Sequence, residues 1–254
     1  MRHFFTILGH EIRMLLVNPA TYIAAVSFLS VMGFVFIGIL DSYSQASAPE
    51  ASPVNVFFQW FWLPVLFLVP LLTMKCLAEE RRLGTLETLL TTPVTTTEVV
   101  LGKYGAAYGL YMALWAATLG FFWILKKFVG QVHLLDPGAL LGGYLFVAVS
   151  GLLFVALGVL ASALSRNHAV AGILCFVLLF AFIGGAYYLP GAAWLNRDTL
   201  QPLKAMVDYA QVFRHCDDFT RGTVDARQIF FYASGTVLAL IFSILSVEAR
   251  QLHS

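Results

Sequence analysis

Six long stretches of the chain are almost wholly apolar: residues 20–40, 56–74, 104–125, 139–164, 169–189 and 229–247. Each matches the roughly 20 residues that an α-helix needs to cross the hydrocarbon core of a bilayer. The pattern predicts an all-α, polytopic membrane protein, one domain over 1–254 with six transmembrane helices. The fourth stretch is long enough to tilt or to project beyond the lipid. Pro64 and Pro70 lie inside the second, which predicts a kinked helix buried in the bundle. Ahead of the first, residues 1–18 set Phe4, Phe5, Ile7, Leu8, Ile12, Leu15 and Leu16 against His3, His10, Glu11 and Arg13 at helical spacing. That is the pattern of an amphipathic helix lying in the interface, and Asn18-Pro19 ends it.

Polar residues gather at one interruption, EERRLGTLETLLTTPVTTTEVVLGK over 79–103, with five acids or bases in its first nine residues. Gly84 stops the arriving helix, and Thr85 caps a short one whose first turn carries Glu87 at the positive end of the dipole. Leu83, Leu86, Leu89 and Leu90 give that piece an apolar stripe. Pro93 ends it, Thr95 and Glu98 form a capping box for the next helix, and Val94 and Val99 stand where a hydrophobic staple would. By spacing alone the stretch is either a capped loop on the lipid interface or a docking element for a cytosolic partner.

The acidic pair, the GTLE run, the leucines, the TxPV turn and the following LGK resemble the first cytoplasmic loop of type-2 ABC transporter permeases. The likeness is greatest to the gliding-motility and nitrous-oxide-reductase-maturation group. It extends to the order of amphipathic helix, NPATY and long apolar helix, which resembles the family's elbow. It includes FxRGxxD before the last span, where Phe219, Arg221, Gly222 and Asp225 stand. The resemblance implies that 79–93 holds a coupling helix seated in an ATPase groove, with Glu79, Glu80, Arg81, Gly84, Thr85, Leu86, Glu87, Leu90 and Pro93 as its coupling residues. It further implies an exporter-type permease without catalysis of its own. The implied partners are an ABC ATPase dimer that carries ATP and Mg, a second permease copy or a paralogue, an auxiliary envelope protein, and membrane lipid. The implied place is the bacterial inner membrane.

Six spans put both ends on one side. Basic residues near the ends favour cytoplasmic termini by eight to seven, the outer count being swollen by the long loop 190–228. Leu200, Leu203, Val207, Ala210 and Phe213 predict one amphipathic helix within that loop. Phe57-Phe58, Trp60 to Trp62, Tyr187-Tyr188 and Phe230 to Tyr232 fall at expected outer ends, as an aromatic belt would. The N-terminus does not read as a cleaved signal, because its first apolar run is too long and starts too late.

Composition agrees with a bilayer: 59% hydrophobic and 11% charged residues, with a mean hydropathy of +0.81, where soluble domains carry about a quarter charged. A net charge of +1, with scattered bases, leaves no basic field for nucleic acid. The apolar runs contain no Asp, Glu, Lys, Arg or His, which argues against proton- or sodium-coupled carriers and intramembrane proteases. No GxxxxGK[ST] phosphate loop occurs either, so the energy source is expected on another chain.

Cys76, Cys175 and Cys216 lack ligand spacing, and the cluster His215 to Asp218 reads as a solvated loop with no metal. Gly105, Gly109, Ala113 and Ala117 repeat every four residues along the third span, as a helix-packing seam within the bundle would, with a dimer seam as the second reading. Gly158 with Ser162 and Ala181 with Gly185 repeat the pattern more weakly. Two other classes fit the composition: a membrane scaffold that positions a machine without transport, and a lipid-modifying enzyme drawing its acids from 79–98 or the outer loop.

Overall fold

The computed structural model of the chain describes residues 4–45, 52–83, 95–129, 136–189 and 201–251, and all regular structure in them is helical. In chain order the helices are α1 (Phe4–Val17), α2 (Pro19–Gln45), α3 (Pro53–Gln59), α4 (Trp62–Thr73), α5 (Ala78–Leu83) and α6 (Thr96–Ala117). They continue as α7 (Leu119–Val129), α8 (Pro137–Leu164), α9 (His168–Tyr188), α10 (Gln201–Tyr209), α11 (Val212–Thr220) and α12 (Ala226–Gln251). Five segments are long and apolar enough to cross a membrane: Pro19–Tyr43, Thr96–Lys127, Pro137–Leu164, His168–Tyr188 and Ala226–Ala249. The pair α3–α4 passes the same test jointly and gives a sixth when counted as one bent span.

Helix α8 is the axis of the bundle and packs against α4, α6, α9, α11 and α12. Its apolar window is 72% buried, against 33% or less for the other four unbroken spans. Glycines explain the close approach. A Cβ at Gly142 would strike the Phe219 carbonyl of α11, at Gly143 the Phe58 ring of α3, at Gly151 the Tyr111 ring of α6, and at Gly158 the Thr73 side chain of α4. Four neighbours therefore reach the backbone of one helix, which is how apolar helices gain contact when lipid is as oily as the core. Hydroxyls add to the seams: Tyr104 and Tyr108 of α6 donate to the Leu152 and Ala148 carbonyls at 3.2 and 2.9 Å.

The small-residue stripe on α6 is not such a seam within this chain. Gly105 receives Leu8 of α1, 3.1 Å from where a Cβ would stand, but an added Cβ at Gly109 meets nothing within 4 Å. Ala113 and Ala117 are exposed as well. The intrachain seam runs along α8 instead, and includes the Gly158–Ser162 pair.

The second span bends by 44° between α3 and α4, at Trp60–Phe61. Pro64 sets the place: it has no N–H for the Trp60 carbonyl four residues back, and its ring crowds that carbonyl. Leu63 N bonds Trp60 O at 3.3 Å instead, and Val65 N bonds Phe61 O at 3.2 Å. Pro70 lies within α4, which continues past it. Of the expected aromatic belt, Phe57, Phe58, Phe61 and Tyr232 are fully buried, Trp60, Tyr187, Tyr188 and Phe230 stay exposed, and Trp62 and Phe231 lie between.

Between the last two spans the described residues form two helices rather than one, parting at Ala210–Gln211. His215 and Cys216 belong to α11 and are buried, so the cluster is not a solvated loop. Among the described residues no three His, Cys, Asp or Glu side chains are placed to hold one metal ion. Phe219 is the anchor of α11, edge-on to Phe146 of α8 at 5.9 Å. Arg221 pairs with Asp217 at 2.8 Å, and Asp217 also accepts from Asn55 of α3 at 2.7 Å. Gly222 has a φ of +79°. Gly222 N donates to Phe219 O and Thr223 N to Asp218 O, a Schellman stop that glycine adopts without strain. Asp225 then caps α12 by accepting from Arg227 N at 2.9 Å. The FxRGxxD passage thus ends one helix and starts the next.

Candidate functional site

One end of the bundle carries the polar interruption. At its root, turn 74–77 leaves α4, and the hydroxyl of Ser162 on α8 holds it. Ser162 Oγ accepts from Leu77 N at 3.0 Å and from Ala78 N at 3.1 Å, and donates to Met74 O at 3.3 Å. The first donors of α5, which a helix start leaves unpaired, are satisfied by a side chain some eighty residues away in sequence. At the far side of the interruption the capping box is formed: Thr95 Oγ1 accepts from Glu98 N at 3.3 Å, and Glu98 Oε2 from Thr95 N at 3.4 Å.

The elbow lies across the start of α6. Ile7 meets Gly102, 2.7 Å from where a Cβ would stand, and Lys103 Nζ lies 2.6 Å from Glu11 Oε1. Lys103 is 4% exposed. A buried ammonium needs such a partner, because desolvation otherwise disfavours its charge strongly. A cavity of about 480 Å³ opens beside this pair, with Lys75, Glu79, His10 and Asn18 among its walls.

Of the coupling residues expected from the sequence, Glu79 is half-buried on this cavity, and Glu80 and Arg81 lie in α5. Gly84, Thr85, Leu86, Glu87, Leu90, Pro93 and the staple residue Val94 lie outside the described residues. The sequence reading missed Glu11 as a partner of Lys103 and Ser162 as a holder of the loop root. A signal existed for the first: an acid on the elbow, and a lysine two turns inside the third span's helix.

A second cavity, of about 620 Å³, lies at the opposite end of the bundle, between the α3–α4 break, the last turns of α9 and the start of α11. Its walls are mostly aromatic. Nearby, His215 Nδ1 and the Tyr232 hydroxyl share a hydrogen bond at 3.0 Å. Burial holds the imidazole below its ordinary pKa, outweighing a backbone hydrogen bond at Tyr209 and the nearby Asp218 and Asp225 carboxylates, which act to raise it.

This arrangement defines a multi-pass membrane protein with an apolar interior and ionisable groups at both ends, around the elbow helix and loop root at one and along α11 at the other. The chain belongs to the ABC-2 family of transporter proteins, whose sequence profile matches residues 5–247. It is 28% identical over 167 residues to the "Probable multidrug ABC transporter permease YbhR" of Escherichia coli strain K12, and equally to the protein of that name in Escherichia coli O157:H7. The match covers 61% of this chain and 43% of each relative, so less than half the length of those proteins is spanned.

Proposed function

We propose that the chain is the membrane subunit of an ATP-driven exporter of the gliding-motility and nitrous-oxide-reductase-maturation kind. Two copies, or this chain and a paralogue, form the pathway, and a separate ATPase dimer supplies ATP, Mg and hydrolysis. The observation that carries this reading is the built root of the polar interruption: Ser162 fixes its entry, the Thr95 capping box fixes its exit, and the Glu11–Lys103 pair ties the elbow to the helix that follows. A segment held so firmly at both ends transmits a push at 84–94 to α4, α6 and α8 together. In this reading 79–93 docks on the ATPase, both termini are cytoplasmic in a bacterial inner membrane, and 190–228 lies outside. The multidrug designation of the E. coli relative supports export.

Leu86→Asp combined with Leu90→Asp tests the docking, since desolvated leucines carry binding where rim charges tune it. The expected result is an ATPase that no longer co-purifies with a permease still folded in the membrane. Undiminished co-purification overturns the docking assignment. In reconstituted vesicles, ATPase stimulation with no substrate movement would identify a scaffold instead of an exporter.

A further inference from the structure

We propose that the aromatic cavity at the end of the bundle opposite the elbow is a binding site for a neutral, flat-ringed amphiphile. The proposal rests on the permease reading for its role as a substrate site, though not for the binding itself. The wall is built by the break in the second span. On an uninterrupted helix, residues two apart point about 200° away from each other. The break at Trp60–Phe61 instead sets Trp60 and Trp62 side by side, 6.3 Å between centroids and 22° between planes. Facing them, Tyr187 stands edge-on to Tyr188 at 5.0 Å and to Phe213 of α11 at 5.2 Å, and Phe180 lines the cavity one helical stretch further in. Ring faces and ring edges thus come from three separate elements.

The lining also defines the ligand's charge. Among the described residues that line it there is no Asp, Glu, Lys, Arg or His, so an anion finds no counter-charge among them. A fixed cation would find ring quadrupoles but no carboxylate to replace its hydration. A neutral ring loses nothing on entry and stacks on the indoles. The Gln59 carboxamide, two tyrosine hydroxyls and two indole N–H groups offer hydrogen bonds to one or two polar substituents, the usual composition of a small-molecule site, and the volume of about 620 Å³ is of drug size.

The test uses the full chain in lipid nanodiscs without ATPase or nucleotide. The probe is N-phenyl-1-naphthylamine, a neutral ring system with one N–H, and ethidium serves as the permanently cationic counterpart. Saturable binding of the neutral probe is expected. Trp60→Ala and Tyr187→Ala should each weaken it by about tenfold, the scale of a lost ring contact. Trp123→Ala, on an exposed ring of α7 away from the cavity, should leave it unchanged. If Trp60→Ala does not fold, Tyr188→Ala replaces it, because that side chain is exposed. Equal affinity in the pocket variants and Trp123→Ala overturns the site. Tighter binding of ethidium than of the neutral probe, lost in the same variants, overturns the ligand class. Binding that survives in a chain that never associates with an ATPase would count against the permease role alone.

Discussion

Lys103 of α6 and Glu11 of α1 form an ion pair of 2.6 Å, with the lysine 4% and the glutamate 19% exposed, joining positions 92 residues apart. It is the point at which the elbow becomes part of the bundle.

Lys103→Met should therefore leave a largely buried carboxylate without its partner, and lower stability by roughly 3 kcal/mol. Combining it with Glu11→Met should restore most of that loss, because the second change removes the stranded charge. Thermal denaturation of both variants in detergent checks it, and an equal loss in the single and double variants would show that the pair is not what holds the elbow.

Ser162→Ala removes the acceptor shared by Leu77 N and Ala78 N. Leaving those buried donors unpaired should cost about 1–3 kcal/mol. The loss should be local, so hydrogen exchange should quicken over 77–83 before it changes in α8. Exchange that stays protected there would mean that another group takes over the loop root.

His215 gives a dependence on pH with a defined sign. Its folded pKa lies below the ordinary 6.5, so the unfolded chain binds the proton more readily and stability rises with pH. The contribution is complete above about pH 6.5, is lost as pH falls toward the lower folded pKa, and levels off beneath it. Melting temperatures of the parent and of His215→Asn, followed over the acid range, should converge as pH falls. Parallel curves would show that the imidazole does not titrate on unfolding.

Gly109→Leu should be close to neutral for the fold of the single chain, since the added side chain points where no atom lies within 4 Å. Gly143→Leu should be severe, because the Phe58 ring fills the space, and over-packing costs about 1–3 kcal/mol or more. Melting curves of the two in detergent separate a lipid-facing stripe from a packed seam. A large loss at Gly109 would reveal a partner on that face.

The comparison of Gly109 with Gly143 also marks where sequence reading stops. Both are small residues in apolar helices, and one sees open space while the other sees a ring. The spacing of Gly105, Gly109, Ala113 and Ala117 is regular, yet Gly109 meets nothing, while the tightest approaches fall on α8 at 142, 143, 151 and 158, with no single period. In a soluble protein an amphipathic stripe would have pointed inward. In a spanning helix both core and lipid are apolar, so no stripe distinguishes them. The same reason explains the aromatics, of which Phe58 and Phe61 went to the core and Trp60 to the surface.

What the sequence determined by itself was therefore local: six apolar stretches of spanning length, an amphipathic leader ending at Asn18, and the Thr95–Glu98 capping box. Each rests on composition or on contacts within four residues, which chain order alone specifies. The tertiary structure decided which residues meet across the chain: Glu11 with Lys103, Ser162 with the root of the loop, Trp60 beside Trp62 at a break. Such pairings depend on how the helices rotate and approach. In an apolar medium those are set by the fit of side chains against backbone, which no pattern of polar and apolar positions records.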